Sequence, residues 1–268
     1  MQVYEGPAKS KLCGLAIAND DPVSPLIVTT EHLSGKCRAL FVRRNSDAKL
    51  QVVQSVVIDE TLGIYSDRVT FARWPEGNLF CAINNTSSLH EFTRAPSASR
   101  TQFEDTSRKH PLSNKVRCIC GLQSNGVCRL AASFVDKSIR VFRVAAAGCA
   151  LVLLQRVQLQ RVQFTRPQTS SSRSLIALPG GSLVYSLFTD LNMFGIECCA
   201  AKSDGTLSSP TRLFSKKPSS IFLIRLLFSR ELGFSLWALL PPTEAFPTYR
   251  LIANYDNCEL CLLSIKAE

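Results

Sequence analysis

Leu130-Ala131-Ala132-Ser133-Phe134-Val135-Asp136-Lys137-Ser138-Ile139-Arg140-Val141-Phe142 is the stretch that decides the fold. A short run of small and apolar residues leads into a polar turn around Asp136-Lys137, and an alternating run follows. Alternation sends successive side chains to opposite faces of an extended chain, so the stretch reads as strand, turn, strand. The same pattern returns from Leu79-Phe80-Cys81-Ala82 to Phe92 and from Leu251-Ile252-Ala253-Asn254 to Leu263. In each copy Ala82, Ala132 or Ala253 stands ten residues before Phe92, Phe142 or Leu263, with Leu89, Ile139 or Leu260 three before the end. Self-similarity of this kind signals a repeat architecture, which sets the fold ahead of local preference.

Outward from these hairpins, period-two alternation and β-branched residues dominate. A first unit takes Leu12 to Asn19, Leu26 to Thr30, Arg38 to Arg43 and Leu50 to Ile58, with turns at Asp20-Asp21-Pro22, Ser34-Gly35-Lys36 and Asn45-Ser46-Asp47. A second takes Arg68 to Arg73, Leu79 to Asn84 and Leu89 to Arg94, and the Ser/Arg/Thr-rich Ala95 to Pro111 reads as an exposed loop with at most a short strand around Phe103. The third runs Val116 to Leu122, Arg129 to Phe134, Ser138 to Val144 and Leu151 to Leu159. The fourth takes Val162 to Thr165, a polar loop Pro167 to Ser172, then Leu175 to Leu178, Ser182 to Phe188 and Phe194 to Ala200. The last takes Ile221 to Phe228, Phe234 to Leu240, Arg250 to Asn254 and Glu259 to Ile265. Phe92 and Phe142 lie 50 residues apart, and Ala132 and Ala177 lie 45 apart. Both match the period of a four-stranded propeller blade, about 40 to 50 residues. A lone four-stranded sheet cannot cover its two apolar faces, whereas radial stacking buries both. The expectation is an all-β single domain over residues 1–268, a β-propeller of about five to seven four-stranded blades with loop 95–111 exposed. Gln2-Val3-Tyr4 is a strand-like piece placed to complete the last blade.

The stretch from Leu130 to Val144 resembles a WD-repeat unit, where a small-residue strand, an Asp-containing turn and a strand ending in Trp-Asp recur. Here Phe142-Arg143 stands in place of Trp-Asp; the copies ending at Phe92-Thr93 and Leu263-Ser264 depart further, and the opening Gly-His pair is missing. That resemblance implies a propeller serving as a scaffold. Gly180-Gly181-Ser182-Leu183-Val184-Tyr185, followed by Asp204-Gly205-Thr206-Leu207, is similar instead to the lactonase-type propellers of sugar-acid metabolism. Those enzymes gather His, Glu and Arg at the ring's centre; this chain has only His32, His90 and His110, each in a different context.

Composition narrows the chemistry. Forty-six per cent hydrophobic and 19 per cent charged residues are enough to build a sizeable core. Met1 to Pro7 shows no basic stretch leading into an apolar run, so a cytoplasmic or nuclear protein is expected. Ile221 to Leu240 is apolar, but Arg225, Arg230 and Glu231 interrupt it, which favours buried strands over a membrane span. The eleven cysteines are scattered, and the two thiols of Cys258-Glu259-Leu260-Cys261 diverge on a strand. They are expected as reduced, buried thiols with no metal and no cofactor. The overlapping sequons at Asn84 and Asn85 read as turn chemistry. No phosphate-binding glycine loop, GxSxG elbow or HExxH pair occurs, and the adjacent acids Asp20-Asp21, Asp59-Glu60 and Glu104-Asp105 diverge too much for an acid–base couple.

The net charge of +10 is dispersed over Arg43-Arg44, Arg108-Lys109-His110, Arg156/Arg161/Arg166 and Lys216-Lys217. It points to other proteins as partners, acidic ones in particular, ahead of nucleic acid, and to no membrane. The reading is a non-catalytic, WD-repeat-like scaffold for protein–protein interaction in a multiprotein complex. Its protein-binding candidates are the loop and turn residues Arg73, Trp74, Arg94, Arg108, Lys109, Lys137 and Arg140. The alternatives are a lactonase-like propeller enzyme hydrolysing a sugar lactone, and a sandwich-type domain pair that binds protein without a ring.

Overall fold

In all three repeat copies the opening leucine faces the closing apolar residue across an antiparallel hairpin: Leu79 opposite Phe92, Leu130 opposite Phe142, and Leu251 opposite Leu263. The structure, a computed structural model, describes residues 11–18, 25–33, 36–47, 49–59, 69–74, 77–94, 102–104, 107–124, 126–144, 151–161, 168–171, 174–189, 194–216, 235–240, 242–244, 247–255 and 259–265. It divides into two compact units, Met1–Ile119 and Cys120–Glu268.

The first unit holds two four-stranded sheets. One runs in order through β1 (Lys11–Ile17), β2 (Ile27–Leu33), β3 (Lys36–Arg44) and β4 (Leu50–Asp59). The other runs through β5 (Val69–Arg73), β6 (Leu79–Ile83), β7 (Ser88–Phe92) and β8 (Arg108–Pro111). Alternation puts Leu79, Cys81 and Ile83 on one face of β6, and they share a core with Val28, Ala39, Phe41 and Val56 of the first sheet. Phe41 lies edge-on to Phe92 at 5.9 Å and stacks on Phe103 at 4.5 Å. Every residue of β6 and β7 is buried, as a strand covered on both faces requires. Gly14 sits at a bulge in β1 with φ +68, and a Cβ there would stand 2.5 Å from the carbonyl oxygen of Val69. Only glycine allows β1 and β5 to approach so closely.

The division between units falls inside β9 (Val116–Ser124), which forms a sheet with β10 (Val127–Phe134), β11 (Ser138–Val144) and β12 (Leu151–Gln158). A larger sheet follows in the second unit, in the order β13 (Gln160–Arg161), β14 (Gln168–Ser171), β16 (Leu183–Thr189), β17 (Phe194–Cys199) and β18 (Thr211–Lys216). The short β15 (Leu175–Ala177) also pairs with β16. The last sheet is β19 (Ser235–Leu240), β20 (Tyr249–Tyr255) and β21 (Glu259–Ile265). One turn occurs twice in this unit. Asp136 Oδ1 accepts hydrogen bonds from the Ser138 amide at 3.2 Å and hydroxyl at 2.6 Å, and Asp204 Oδ1 accepts from the Thr206 amide at 2.8 Å and hydroxyl at 2.7 Å. An aspartate that binds the backbone two residues on stabilises the tight turn itself.

Three expectations need correction. The segment 95–111 is not wholly an exposed loop: Arg108–Pro111 is the edge strand β8, and Phe103 is buried, drawn in by its stacking on Phe41. The polar stretch Pro167–Ser172 contains β14, whose backbone pairs with β16 whatever its side chains prefer. β18 has no counterpart in the sequence reading, because Pro210 and Lys216-Lys217 frame it like a loop. Val162–Thr165, Ile221–Phe228 and Gln2–Tyr4 lie outside the described residues. Among the described residues no helix is long and apolar enough to cross a membrane, and Ser235–Leu240 is a strand.

The outer strands share a device that spacing alone does not reveal. β4, β12 and β18 each carry a bulge, which leaves Val53, Leu154 and Leu213 unpaired and 48, 40 and 44% exposed. On β4 and β12 the next residue is a glutamine. Gln54 donates to the Phe103 carbonyl at 2.7 Å and accepts from the Phe103 amide at 3.0 Å. Gln155 does the same to Leu207, at 3.0 and 2.6 Å. A carboxamide presents the donor and acceptor of a peptide unit, so each glutamine acts as an extra ladder rung. Phe103 and Leu207 are 3% exposed, so water does not readily replace the lost partner. Gln155→Ala is therefore expected to lower unfolding free energy by about 1–3 kcal/mol in urea titrations. A change below about 0.5 kcal/mol, the size usual for surface substitutions, would show the rung to be idle.

Candidate functional site

The groups able to do chemistry are strand residues inside apolar runs, positioned by register. Glu31 on β2, Glu91 on β7 and Glu197 on β17 are buried, and each stands directly opposite an arginine on the next strand. The pairs are Glu31–Arg38 at 3.5 Å, Glu91–Arg108 at 3.9 Å and Glu197–Arg212 at 3.5 Å. The sheet of β9 to β12 uses the same opposition differently. Arg140 and Arg156 face each other across β11 and β12, and both donate to Asp136, at 2.5 and 3.1 Å. Cross-strand neighbours interact most strongly when directly opposed, which makes these pairs strand-to-strand clamps. Sequence reasoning looked for carboxylates adjacent along the chain and missed them. The available signal was a charge inside an apolar strand, as in Ser88-Leu89-His90-Glu91-Phe92.

Glu91 is the most elaborated of these acids. It accepts from His110 Nε2 and from Asn78 Nδ2, both at 2.8 Å. Burial alone pushes the Glu91 carboxyl up, but the His110 hydrogen bond and charge, Asn78 and Arg108 outweigh it and hold the group below its ordinary value. In the second unit the Tyr185 hydroxyl donates to Glu197 at 2.9 Å. Burial, with Cys199 and Glu197 nearby, drives the Tyr185 phenol far above its usual range. Burial likewise lifts Cys199 to about 12 and, with Cys37 nearby, pushes Cys81 well up. These thiols stay protonated and are poor nucleophiles.

A second cluster lies on the other face of β7. His90 is buried, its Nδ1 3.2 Å from the Ser107 hydroxyl, and it stands opposite Lys109. Ser88 and Pro111 form the next pair along, and with Asn85, Thr86, Ser87 and Lys109 they line an open cleft of about 530 Å³. The sequon residues Asn84 to Thr86 make the tight turn expected of them. Asn85 has φ +65, and the Thr86 hydroxyl donates to the Ile83 carbonyl at 2.8 Å. The cleft offers hydroxyls, an amide and an ammonium group. Glu91 does not extend the Ser107–His90 contact into a relay, because adjacent strand residues point to opposite faces. Among the described residues no group of three His, Cys, Asp or Glu could hold a metal ion.

The sequence-nominated residues separate into groups. Arg73, Trp74 and Arg94 come together at the β5–β6 turn, where Gly77 donates to the Trp74 carbonyl and Arg94 Nε donates to the Gly77 carbonyl at 3.0 Å. Arg108 and Lys109 are exposed on β8, and Lys137 and Arg140 belong to the β10–β11 hairpin of the other unit. Exposure was expected of all seven; only Arg108 and Lys109 are exposed, and two are buried. Trp74 is 7% exposed because its ring packs edge-on to Phe80, and Arg140 is 8% exposed because its guanidinium lies over the Phe134 ring and is bound by Asp136. Arg73, Arg94 and Lys137 are half-buried.

No family model matches the chain, and no curated protein matches it. Solved structures do. The periplasmic gluconolactonase of Pseudomonas aeruginosa is 14% identical with a TM-score of 0.54, over 94% of this chain and 69% of that one. A Lactobacillus plantarum protein is 14% identical with a TM-score of 0.53, over 90% and 69%. Raptor of Chaetomium thermophilum is 13% identical with a TM-score of 0.51, over 98% of this chain but 20% of its own length. At such identities the likeness is one of fold. The chain has the all-β propeller fold, with several four-stranded antiparallel sheets.

Proposed function

We propose that this propeller is a non-catalytic, WD-repeat-like scaffold for protein–protein interaction in a multiprotein complex, cytoplasmic or nuclear, with acidic proteins as its partners. The observation that carries the reading is the fate of the buried acids. The buried Glu31, Glu91 and Glu197 and the half-buried Asp136 are each engaged by an arginine. Acids held in this way brace strands rather than move protons. Exposed Arg108 and Lys109 and the net charge of +10 favour acidic surfaces by electrostatic steering. The Asp136-x-Ser138 turn, within the stretch that resembles a WD-repeat unit, supports that likeness. Affinity purification of the full chain from its own cells tests the proposal. A second protein is expected at fixed stoichiometry, weakening as salt rises; a chain recovered alone at every salt concentration contradicts it.

A second reading has its own support. The polar cleft at Asn85–Ser88 and Lys109 lies beside the Ser107–His90 contact, and one similar fold belongs to a gluconolactonase. That reading requires hydrolysis of a sugar lactone that depends on His90.

A further inference from the structure

We propose that the outer edge of β12 is a docking strand, joined by an extended segment of a partner protein that carries apolar residues flanked by carboxylates. The inference rests on the scaffold reading and gives it a surface. β12 ends the order β12-β11-β10-β9, so among the described residues no strand covers its outer side. A terminal strand directs alternate N–H and C=O groups outward, which is the template that strand addition uses.

Edges that must stay single are usually blunted by charge or proline. β12 opens instead on Leu151-Val152-Leu153-Leu154, and Val152, Leu153 and Leu154 are 38, 50 and 40% exposed. Leu154 is the bulged residue, so this run presents apolar side chains to both faces and to the rim. Consecutive exposed apolar residues add nothing to the sheet that carries them and stand out as a binding feature. β4 makes the contrast. Its exposed apolar residues Leu50, Val53 and Val57 are separated by Gln51, Gln54 and Ser55, which dilutes the patch.

Charge selects the occupant. Exposed Arg143 stands opposite Val152 at one end of the apolar run, and Arg156, 52% exposed, lies just beyond its other end. Asp136 is shared between Arg156 and Arg140, so two guanidinium groups meet one carboxylate. Arg143 lies on one face of the sheet and Arg156 on the other, since Arg156 is opposite Arg140, three positions before Arg143. An incoming strand therefore finds apolar surface bracketed by positive charge, and one acidic residue on each face, an odd number of positions apart, would match it. A second copy of this chain fits badly, because it would bring a net charge of +10 and a second Arg156 to the same edge.

The probe is a fluorescein-labelled Glu-Val peptide of about eight residues, the length of an ordinary strand, its two glutamates an odd number of positions apart so that one meets each face, with a Lys-Val peptide as control. Anisotropy is expected to show saturable binding of the Glu-Val peptide alone, weakened about tenfold or more by Leu153→Lys and by Arg143→Glu. Amide hydrogen exchange is expected to slow within Leu151–Gln158. Both altered side chains are exposed, so circular-dichroism melts of the variants should match the parent, and Leu154→Lys serves as a further variant. Absence of saturable binding, equal binding of the Lys-Val peptide, indifference to all three variants, or dimerisation through β12 overturns the proposal. If Leu153→Lys still recovers the stoichiometric partner from cells, the edge is wrong while the scaffold reading stands. If the parent chain recovers none, the scaffold reading itself has failed.

Discussion

Glu91→Ala is expected to lower the free energy of unfolding by about 3–5 kcal/mol at neutral pH, the scale for removing one member of a buried ionic cluster. Glu91 is 2% exposed and binds His110 and Asn78 at once, with Arg108 at 3.9 Å. Without the carboxylate, His110 is left buried with an unused donor, which is the expensive half of losing a hydrogen bond, and the half-buried Asn78 loses its acceptor. Glu91→Gln keeps the shape and should be milder. The two variants also differ in pH dependence. The folded-state pKa of Glu91 lies below its unfolded value of about 4.3, so the stabilisation is complete above that pH. It is lost as pH falls through the folded value, because the carboxylate must then take up a proton that its partners oppose. The stability gap between parent and Glu91→Gln should accordingly close in urea titrations taken from pH 7 down through the acid range. A gap that stays constant, or widens, would mean that Glu91 is not held charged by its neighbours.

Phe41→Ala is expected to cost about 3–5 kcal/mol, the usual range for deleting a fully buried ring. Phe41 is 0% exposed and belongs to the core shared by the two sheets of the first unit. Its two ring contacts, edge-on with Phe92 and stacked on Phe103, add about 0.5–1.5 kcal/mol each beyond simple burial. Removing the ring also takes away what draws Phe103 out of the segment between β7 and β8. Phe41→Leu, which leaves a smaller void, should retain more of the stability. Guanidinium titrations at constant slope would register both losses. A loss under about 1 kcal/mol for the alanine variant would mean that these sheets do not share a tight core.

Much of the fold was legible because hairpins are local. The spacing of Leu79, Leu130 and Leu251 from Phe92, Phe142 and Leu263 carries their pairing directly, since alternation and turn residues lie within a dozen positions. What escaped was set by distant partners. Arg108–Pro111 reads as loop chemistry, yet β7 offers it a ladder, and His110 finds Glu91 across that ladder. Phe103 is one aromatic in a polar stretch and is fixed by Phe41, 62 residues earlier, and Gln54, 49 residues earlier. The site was less legible than the fold. Turn position and charge correctly put Arg108 and Lys109 at the surface, but Trp74 and Arg140 have large apolar or π-facing surfaces that the fold buries. The cross-strand acid–arginine pairs depend on register between strands, a quantity that no single segment encodes.

The scaffold account is tested most directly by incubating the purified full chain with gluconolactone and following hydrolysis against the buffer rate. The account predicts no acceleration, because the buried acids brace strands and the Ser107–His90 contact is not completed by Glu91. Saturable hydrolysis that His90→Gln abolishes, while the melting temperature stays unchanged, would contradict it and establish the cleft beside Lys109 as an active site.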